Sequence, residues 1–161
     1  MNQIHAIVEG QRAYFATGAA RDLDFRRQQL LRLDSAIRRN ERALLDALFE
    51  DLHKSDFEAY ETEIGLVYGA IRHPQRHLGS WAKPSRLTPS LTHFPSTGTL
   101  YREPYGVVLL MSPWNYPFQL VMLPLIGALA AGNCAVVKPS AYAPATSRVV
   151  RTILEECFDP A

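Results

Sequence analysis

Two polar side chains with chemical potential lie just beyond two short apolar segments of the chain. Asn115 follows the segment Val107–Met111, and Lys138 follows the segment 134–137. No charged residue occurs from 107 to 137. An amide offers a neutral hydrogen-bond donor, whereas an ammonium is a cation with three donors. If both groups lie in one crevice, they suit a polar, phosphorylated ligand.

Three elements must position these side chains. Val107–Met111 and 134–137 have the apolar, partly β-branched composition of strands that are buried on both faces. Residues 117–131 have a helical pattern that begins with a proline and ends at a Gly-Asn pair. Together they have the length of a βαβ unit, in which both strands end at the same edge. Ligands of open α/β sheets bind beyond that edge, so we expect 112–117 and 138–140 to form one site.

Asn115 has a second interpretation, because asparagine before a proline also caps helices well. The residues alone favour neither catalysis nor capping. The uncharged stretch could also be embedded in a membrane. However, Pro113, Pro117 and Pro124 argue against a helix that spans a bilayer unaided. Neither half has the roughly 20 apolar residues of a span, so we expect no membrane segment.

The composition is that of a soluble globular protein. The chain has 161 residues, of which 47% are hydrophobic and 20% charged, enough for one domain with a core. A formal net charge of +1 predicts no nucleic-acid or anionic-membrane partner. Two cysteines and no basic-then-apolar leader favour a reducing compartment, so we expect a cytoplasmic protein.

Helical periodicity fills the first half of the chain, over 1–82. A first helix precedes one of about seven turns, which is capped by Asp22 or Asp24. A third helix begins at Ser55 and breaks near Pro74, before one more short helix.

The remaining segments are a loop and the α/β unit. Residues 83–106 are expected to form a long loop with a short exposed strand at 99–103. The α/β unit over 107–161 then adds a last helix that begins at Pro144. Two apolar parallel strands make a very small sheet and need neighbours on both edges. We therefore interpret the chain as the N-terminal part of a larger protein.

Histidine and cysteine side chains are weaker candidates for chemistry. His73 and His77 have the spacing of two metal ligands on a helix. Pro74 lies between them and no third ligand is near, so we predict no metal site. Cys134 and Cys157 both lie in apolar segments, where burial raises the pKa of a thiol and makes it a poor nucleophile. We expect neither cysteine to be catalytic.

Two motifs resemble the aldehyde dehydrogenase superfamily. They are Ser112-Pro113-Trp114-Asn115-Tyr116-Pro117 and Ala130-Ala131-Gly132-Asn133-Cys134-Ala135-Val136-Val137-Lys138-Pro139-Ser140, at the separation found in that family. Asp51-Leu52-His53-Lys54-Ser55, Phe25-Arg26 before a long helix, and Glu103-Pro104-Tyr105-Gly106-Val107-Val108 resemble its class 3 branch. The resemblance covers essentially the whole chain. It implies an α/β fold in which N-terminal helices precede the first βαβα part of a parallel, Rossmann-like cofactor-binding sheet, so the aldehyde dehydrogenase fold is incomplete.

The resemblance also implies an NAD(P)-dependent oxidation of aldehydes to carboxylic acids. In that family a cysteine thiolate attacks the aldehyde, and the motif asparagine, here Asn115, donates its amide to the oxyanion of the thiohemiacetal. The motif lysine, here Lys138, binds the adenosine ribose of NAD or NADP. The other cofactor-binding residues that the resemblance implies are Ser112, Pro113, Trp114 and Ser140.

Two departures from the family pattern matter. Many members have a glutamate three residues after the lysine, where this chain has Ala141. A carboxylate there would disfavour a 2′-phosphate, so its absence predicts weak discrimination against NADP. The nucleophilic cysteine and the glutamate base of the family lie beyond residue 161. We therefore expect no aldehyde oxidation from this chain alone.

Three hypotheses stay open from the sequence. The first is the N-terminal part of an aldehyde dehydrogenase that takes small-molecule aldehydes and forms a homodimer, as class 3 members commonly do. The second is a naturally truncated, non-catalytic protein that pairs with full-length subunits through its strand at 99–103 and its sheet edge. The third is an unrelated α/β binding module. Strand edges without charge or proline favour the first hypothesis.

Overall fold

The structure is a mixed α/β arrangement in which helices dominate the first half of the chain. The computed structural model describes residues 3–158. Its helices are α1 (Gln3–Ala16), α2 (Leu23–Arg39), α3 (Glu41–Leu52), α4 (Asp56–Ala59), α5 (Gly65–Trp81), α6 (Gln119–Ala131) and α7 (Pro144–Cys157). Its strands are β1 (Ser85–Leu87), β2 (Gly98–Leu100), β3 (Val107–Met111) and β4 (Cys134–Lys138). A π-helical turn at Tyr60–Ile64 joins α4 to α5, and short 3₁₀ turns occupy Ala19–Arg21 and Leu91–His93.

One apolar core joins the N-terminal helices to the later α/β elements. Helices α2, α5, α6 and α7 pack around it. Side chains from all four helices have no solvent exposure: Leu33, Ile37, Ile71, Met122 and Ile153. Burial of side chains of this size stabilises a fold by roughly 1.5–3 kcal/mol each. Long-range packing therefore fixes the sheet relative to the helices.

β3 and β4 are parallel neighbours, as the βαβ pattern predicts. The register places Met111 opposite Lys138 at the ends of the strands. Helix α6 connects them and begins at Gln119 rather than at Pro117. It ends at Gly132, whose φ of 84° is a left-handed value that glycine adopts without strain.

The prediction that both strands are buried on two faces is wrong. Leu110 and Val137 pack against the core, but Leu109 and Met111 are 59% and 69% exposed. Helix α6 packs on the core side of the strands, and α1 also contacts both strands without covering these two side chains. The apolar run therefore includes a surface that nothing within residues 3–158 covers.

The uncharged stretch forms a strand, a helix and a strand. Pro124 lies inside α6, which has 13 residues. Within the described part of the chain, no helix combines the length and the apolar character that crossing a bilayer requires.

The expected helix of seven turns is wrong, because Asn40 divides it into α2 and α3. The Asn40 side-chain amide donates to the carbonyl oxygen of Ala36 at 2.9 Å and to the carboxylate of Glu156 at 3.2 Å. Such side-chain bonds compete with the regular helix. Ile37 and Leu44 keep a helical spacing across the break, so periodicity could not reveal it.

The third helix begins where expected but does not break at Pro74. The Ser55 hydroxyl accepts a hydrogen bond from the backbone N–H of Glu58 at 3.3 Å. Helical structure then continues through the π-helical turn and α5, so the short helix expected after Pro74 is the end of α5. Ile71 and Leu78, on either side of Pro74, are buried in the core. Their packing outweighs the roughly 3 kcal/mol that proline costs inside a helix.

Residues 83–106 contain more regular structure than expected, since β1 and β2 pair as antiparallel strands. Ser85 lies opposite Leu100, so the strand expected at 99–103 is shifted to β2. The Arg102 guanidinium donates to the Lys83 carbonyl oxygen at 3.2 Å and to the Ser85 hydroxyl at 3.1 Å. Because β1 has only three residues, it limits the length of its partner β2. The sequence of β2 alone does not show this limit.

Candidate functional site

The carboxyl ends of β3 and β4 bring the two predicted segments together. The backbone N–H of Ser112 donates to the carbonyl oxygen of Lys138 at 3.3 Å. Met111 lies opposite Lys138 in the parallel register. The segment with Asn115 and the segment with Lys138 therefore leave the sheet from the same edge, as predicted.

The Asn115 side chain is exposed in the loop between β3 and α6. Among residues 3–158, no hydrogen bond to its side-chain amide is present. The alternative that Asn115 caps the next helix is wrong. Helix α6 begins at Gln119, and the residue at its cap position, Phe118, makes no side-chain cap. The Asn115 amide is therefore free to donate to a ligand.

A buried ion pair holds the loop that carries Asn115. Lys54 Nζ lies 2.6 Å from Glu63 Oε1, and the two side chains are 8% and 0% exposed. Lys54 Nζ also donates to the Asn115 carbonyl oxygen at 3.3 Å and lies 4.1 Å from the ring centre of Tyr116. The loop thus rests on a cation that is itself held by a carboxylate.

The Glu63 carboxylate satisfies the start of α6. Its Oε2 accepts hydrogen bonds from the backbone N–H groups of Phe118 at 2.8 Å and Gln119 at 3.1 Å. A negative charge is favoured there, because the first N–H groups of a helix lack partners within the helix. Sequence reasoning missed this role. Its only signal is that Glu63 stands four residues before Val67, on the apolar stripe of its helix.

Lys138 is exposed at the end of β4, where no described residue offers it a carboxylate partner. Its Nζ donates to the carbonyl oxygen of Pro139 at 3.3 Å. An ammonium without a fixed anion can bind a hydroxyl or a phosphate oxygen. Ala141, three residues further along, is also exposed and adds no charge.

Ser140 is buried in the turn after β4. Its hydroxyl accepts from the backbone N–H of Tyr142 at 3.2 Å, and its carbonyl oxygen accepts from the Ser147 hydroxyl at 2.9 Å. The Asp51 carboxylate fixes the helix that follows, accepting from the backbone N–H of Thr146 at 2.7 Å and from its hydroxyl at 2.8 Å. These contacts give Ser140 a turn-forming role, and its part in cofactor binding stays a prediction.

Ser112, Pro113 and Trp114 form the first part of the loop. Pro113 and Trp114 are exposed. The Ser112 hydroxyl oxygen is buried and has no hydrogen-bond partner among the residues that the structure describes. Because buried polar groups are nearly always satisfied, this hydroxyl marks a place that a polar group would fit. The role of all three residues in cofactor binding stays a prediction.

Arg26 and Asn133 fix the opposite end of the two strands. Arg26 Nε donates to the Ala20 carbonyl oxygen at 2.7 Å, and its Nη1 donates to the Ala130 carbonyl oxygen at 3.3 Å. Asn133 Oδ1 accepts from the backbone N–H of Gly106 at 2.9 Å. These bonds tie the end of α6 to α2, and the residue before β4 to the approach of β3.

The two cysteine thiols are buried, and the two candidate histidine rings lie next to each other. Burial raises the pKa of the Cys134 thiol, and burial together with the Glu156 carboxylate raises the pKa of the Cys157 thiol to about 11. Both thiols are therefore protonated at neutral pH, as predicted. The ring centres of His73 and His77 lie 4.7 Å apart. Over 3–158, the structure holds no group of three side chains that could bind a metal ion.

The site combines a neutral amide donor, an ammonium and a buried hydroxyl at one edge of a parallel sheet. Among the described residues, the ammonium has no carboxylate partner and the hydroxyl has no hydrogen-bond partner. Such groups bind polar or anionic ligands and stabilise negative charge that develops on an oxygen. Ligands of open α/β sheets bind at such an edge. The chain belongs to the aldehyde dehydrogenase family, whose family model matches residues 1–161.

Known relatives agree with the class 3 resemblance. The 4,4′-diaponeurosporen-aldehyde dehydrogenase of Staphylococcus aureus is 43% identical over 159 residues, which cover 99% of this chain and 35% of that protein. Aldehyde dehydrogenase family 3 member B1 of Bos taurus is 40% identical over 148 residues, covering 92% and 32%. The predicted family and its class 3 relationship are confirmed.

Solved structures confirm the predicted fold. The substrate-bound Staphylococcus aureus AldH matches with a TM-score of 0.96 at 42% identity, over 99% of this chain and 35% of that one. A putative aldehyde dehydrogenase from Bacillus subtilis shares the fold at 19% identity, with a TM-score of 0.82. The chain spans about a third of the length of these relatives and matches the N-terminal part of their fold.

Proposed function

We propose that the protein carrying this chain is an NAD(P)-dependent aldehyde dehydrogenase that oxidises small-molecule aldehydes to carboxylic acids. The observation that carries the proposal is that Asn115 and Lys138 leave one edge of a parallel sheet in a chain of this family. The similar protein of Staphylococcus aureus is named for an aldehyde, 4,4′-diaponeurosporen-aldehyde. We also propose a cytoplasmic homodimer, from the class 3 relationship and the composition.

Asn115 is the proposed oxyanion donor. When a thiolate adds to an aldehyde carbon, a C–S bond forms and the carbonyl electron pair moves to the oxygen. The exposed Asn115 amide is neutral and would donate to that oxygen, whereas an aspartate would repel it. Loss of one such donor typically costs about 3–4 kcal/mol of transition-state stabilisation. The thiolate and the general base would come from outside residues 1–161, so this chain alone would be inactive.

Lys138 and Ser112 fit a dinucleotide at the same edge. The Lys138 ammonium has no carboxylate partner among the described residues, and the buried Ser112 hydroxyl has no hydrogen-bond partner there. Lys138 would donate to the adenosine ribose hydroxyls, and the backbone from 112 to 114 would line the cleft. NAD or NADP would supply the hydride acceptor. Proteins that share this fold were solved with NADP⁺ and with NAD⁺, from Streptococcus pyogenes and Pseudomonas syringae respectively.

Steady-state kinetics of the native protein test the proposal. With a panel of aliphatic and aromatic aldehydes, the absorbance of the reduced cofactor should rise with NAD, NADP or both. Asn115→Ala should lower kcat by roughly 10²–10³-fold and leave the cofactor dissociation constant unchanged. Lys138→Met should instead weaken cofactor binding. A native protein that binds neither cofactor and oxidises no aldehyde of the panel would refute the proposal.

A second candidate is a non-catalytic interaction protein. The exposed apolar side chains of Leu109 and Met111 favour it, because they offer a contact surface for another subunit. The intact mass of the native polypeptide separates the two candidates. A mass well above that of 161 residues supports the enzyme, whereas a mass equal to it supports the interaction protein.

A further inference from the structure

The buried Lys54–Glu63 pair lies directly against the loop of the proposed oxyanion donor. We propose that this pair is a positioning device that fixes the Asn115 backbone so that its side-chain amide meets the oxyanion. The inference rests on the proposed function, and it assigns no contact with substrate to either residue. Lys54 and Glu63 act through Asn115.

The pair binds the backbone at both ends of the segment 115–119. Lys54 holds the carbonyl oxygen of Asn115 itself, and Glu63 holds the N–H groups of Phe118 and Gln119. The remaining Glu63 oxygen binds Lys54. Each of these hydrogen bonds therefore joins the pair to the segment from 115 to 119 or joins its two members. The Asn115 side chain stays free while its backbone is fixed.

The charged groups of the pair fix specific backbone groups of the loop, which apolar packing would not do. Hydrogen bonds with an ionised partner are shorter and stronger than neutral ones. Two apolar side chains of the same volume would fill the space without fixing a carbonyl oxygen on one side and two N–H groups on the other. A buried charge pair is not needed for stability as such, since apolar replacements are often as stable. Positioning of Asn115 is therefore a role that the charged pair fulfils and that an apolar pair would not.

Local irregularities place both members of the pair. Lys54 follows His53, whose φ of 56° ends α3, and precedes the Ser55 cap. Glu63 lies in the π-helical turn, where the backbone N–H of Gly65 donates to the carbonyl oxygen of Tyr60. Wide helical turns of this kind are frequent at functional sites.

Kinetics of Lys54→Met in the native protein test the inference. Methionine keeps the length of the side chain and removes its donors, so kcat should fall by about 10–100-fold. The cofactor dissociation constant should stay within about threefold, because Lys138 is not contacted. Tyr68→Phe is the matched control. It removes the 2.6 Å hydrogen bond that the Tyr68 hydroxyl, on α5, donates to the Glu41 carboxylate, and this bond does not involve the loop. Its kcat should equal that of the unmodified protein.

The Asn115→Ala background separates positioning from a general structural effect. If Lys54 acts through Asn115, then Lys54→Met should change kcat by less than about twofold once the amide is gone. An equal loss of kcat in both backgrounds would overturn the inference, because Lys54 would then act without Asn115.

Amide hydrogen exchange gives a readout that does not depend on activity. Exchange of the backbone amides of residues 115, 116, 118 and 119 should accelerate in Lys54→Met and in Glu63→Gln, which removes the charge and keeps one acceptor oxygen, but not in Tyr68→Phe. If the native protein oxidises no aldehyde, the proposed function fails and exchange alone decides whether the pair holds the loop. Unchanged exchange in the pair variants overturns the inference. If Lys54→Met does not fold, both kcat and amide exchange are measured on Glu63→Gln instead.

Discussion

Asn115 keeps its amide free because a carboxylate from a distant helix satisfies the start of α6. An asparagine before a helix would ordinarily bond to the first N–H groups. Here Glu63 accepts from Phe118 and Gln119 instead. One side chain thus takes over the structural task and leaves the other for a ligand.

The residue at position 141 is expected to set the choice between the two cofactors. Ala141→Glu would put a carboxylate three residues after Lys138, where it disfavours a 2′-phosphate by like-charge repulsion. The dissociation constant of NADP should rise by about fivefold or more relative to that of NAD, since one unit-charge contact at 4 Å is worth roughly 1 kcal/mol or more. Equilibrium titration of the native protein measures both constants, with Ala141→Gln as the uncharged control. A strong preference for NAD before any substitution would contradict this expectation.

The Cys157 thiol should make the native protein less stable at alkaline pH. Its pKa rises from 9.0 to about 11, mainly through burial and partly through the Glu156 carboxylate. The folded state therefore holds the proton more tightly than the unfolded state, and this stabilisation is present below pH 9 and is lost as the pH approaches 11. The free energy of urea unfolding, measured at pH 8, 9 and 10, should fall less steeply for Cys157→Ala. Identical slopes for the two proteins would show that the thiol does not titrate in this way.

The turn between α6 and β4 depends on a glycine with no room for a side chain. A Cβ at Gly132 would lie 2.5 Å from Arg26 Nη2 and 2.7 Å from the Ala20 carbonyl oxygen, at a φ of +84°. A left-handed backbone costs a residue with a Cβ roughly 1–2 kcal/mol. Gly132→Ala should lower the free energy of unfolding by more than this, because the Cβ also meets the neighbouring atoms. Gly127→Ala, inside α6 and with open space around the Cβ, should raise the free energy of unfolding by about 0.5–1 kcal/mol. Equal effects of the two substitutions in chemical denaturation would refute the role given to this turn.

Boundaries of the βαβ unit could be predicted to within about two residues, because prolines and glycines bracket apolar runs. The break at Asn40 could not be predicted from the sequence, since Ile37 and Leu44 keep a helical spacing on its two sides. The continuation of α5 past Pro74 could not be predicted either, because it depends on core packing rather than on local helix preference. Within the site, topology brought the segments of Asn115 and Lys138 together. The role of Glu63 could not be predicted, because its position on the apolar stripe does not show that it binds Lys54 and the start of α6.

Large apolar side chains are exposed on β3 and in the loops that precede it. Side chains with more than half of their surface exposed there include Leu91, Phe94, Tyr105, Leu109 and Met111. A polypeptide of residues 1–161 alone should therefore self-associate, as seen by light scattering at micromolar concentration. Lysine substitution of both Leu109 and Met111 should reduce the association. A monomer that unfolds cooperatively would count against this prediction.

The π-helical turn between α4 and α5 makes chain length, rather than residue type, the constrained quantity at its exposed positions. Tyr60 and Glu61 are exposed, so many side chains fit there. An α-helix advances about 100° per residue, and the wide turn absorbs one residue of that rotation. A single deletion between Tyr60 and Glu63 would convert the turn to a regular α-helix and swing Lys54 about a quarter-turn away from its carboxylate. Among homologous sequences, substitutions should therefore be common at Tyr60 and Glu61, whereas gaps should be rare throughout the turn.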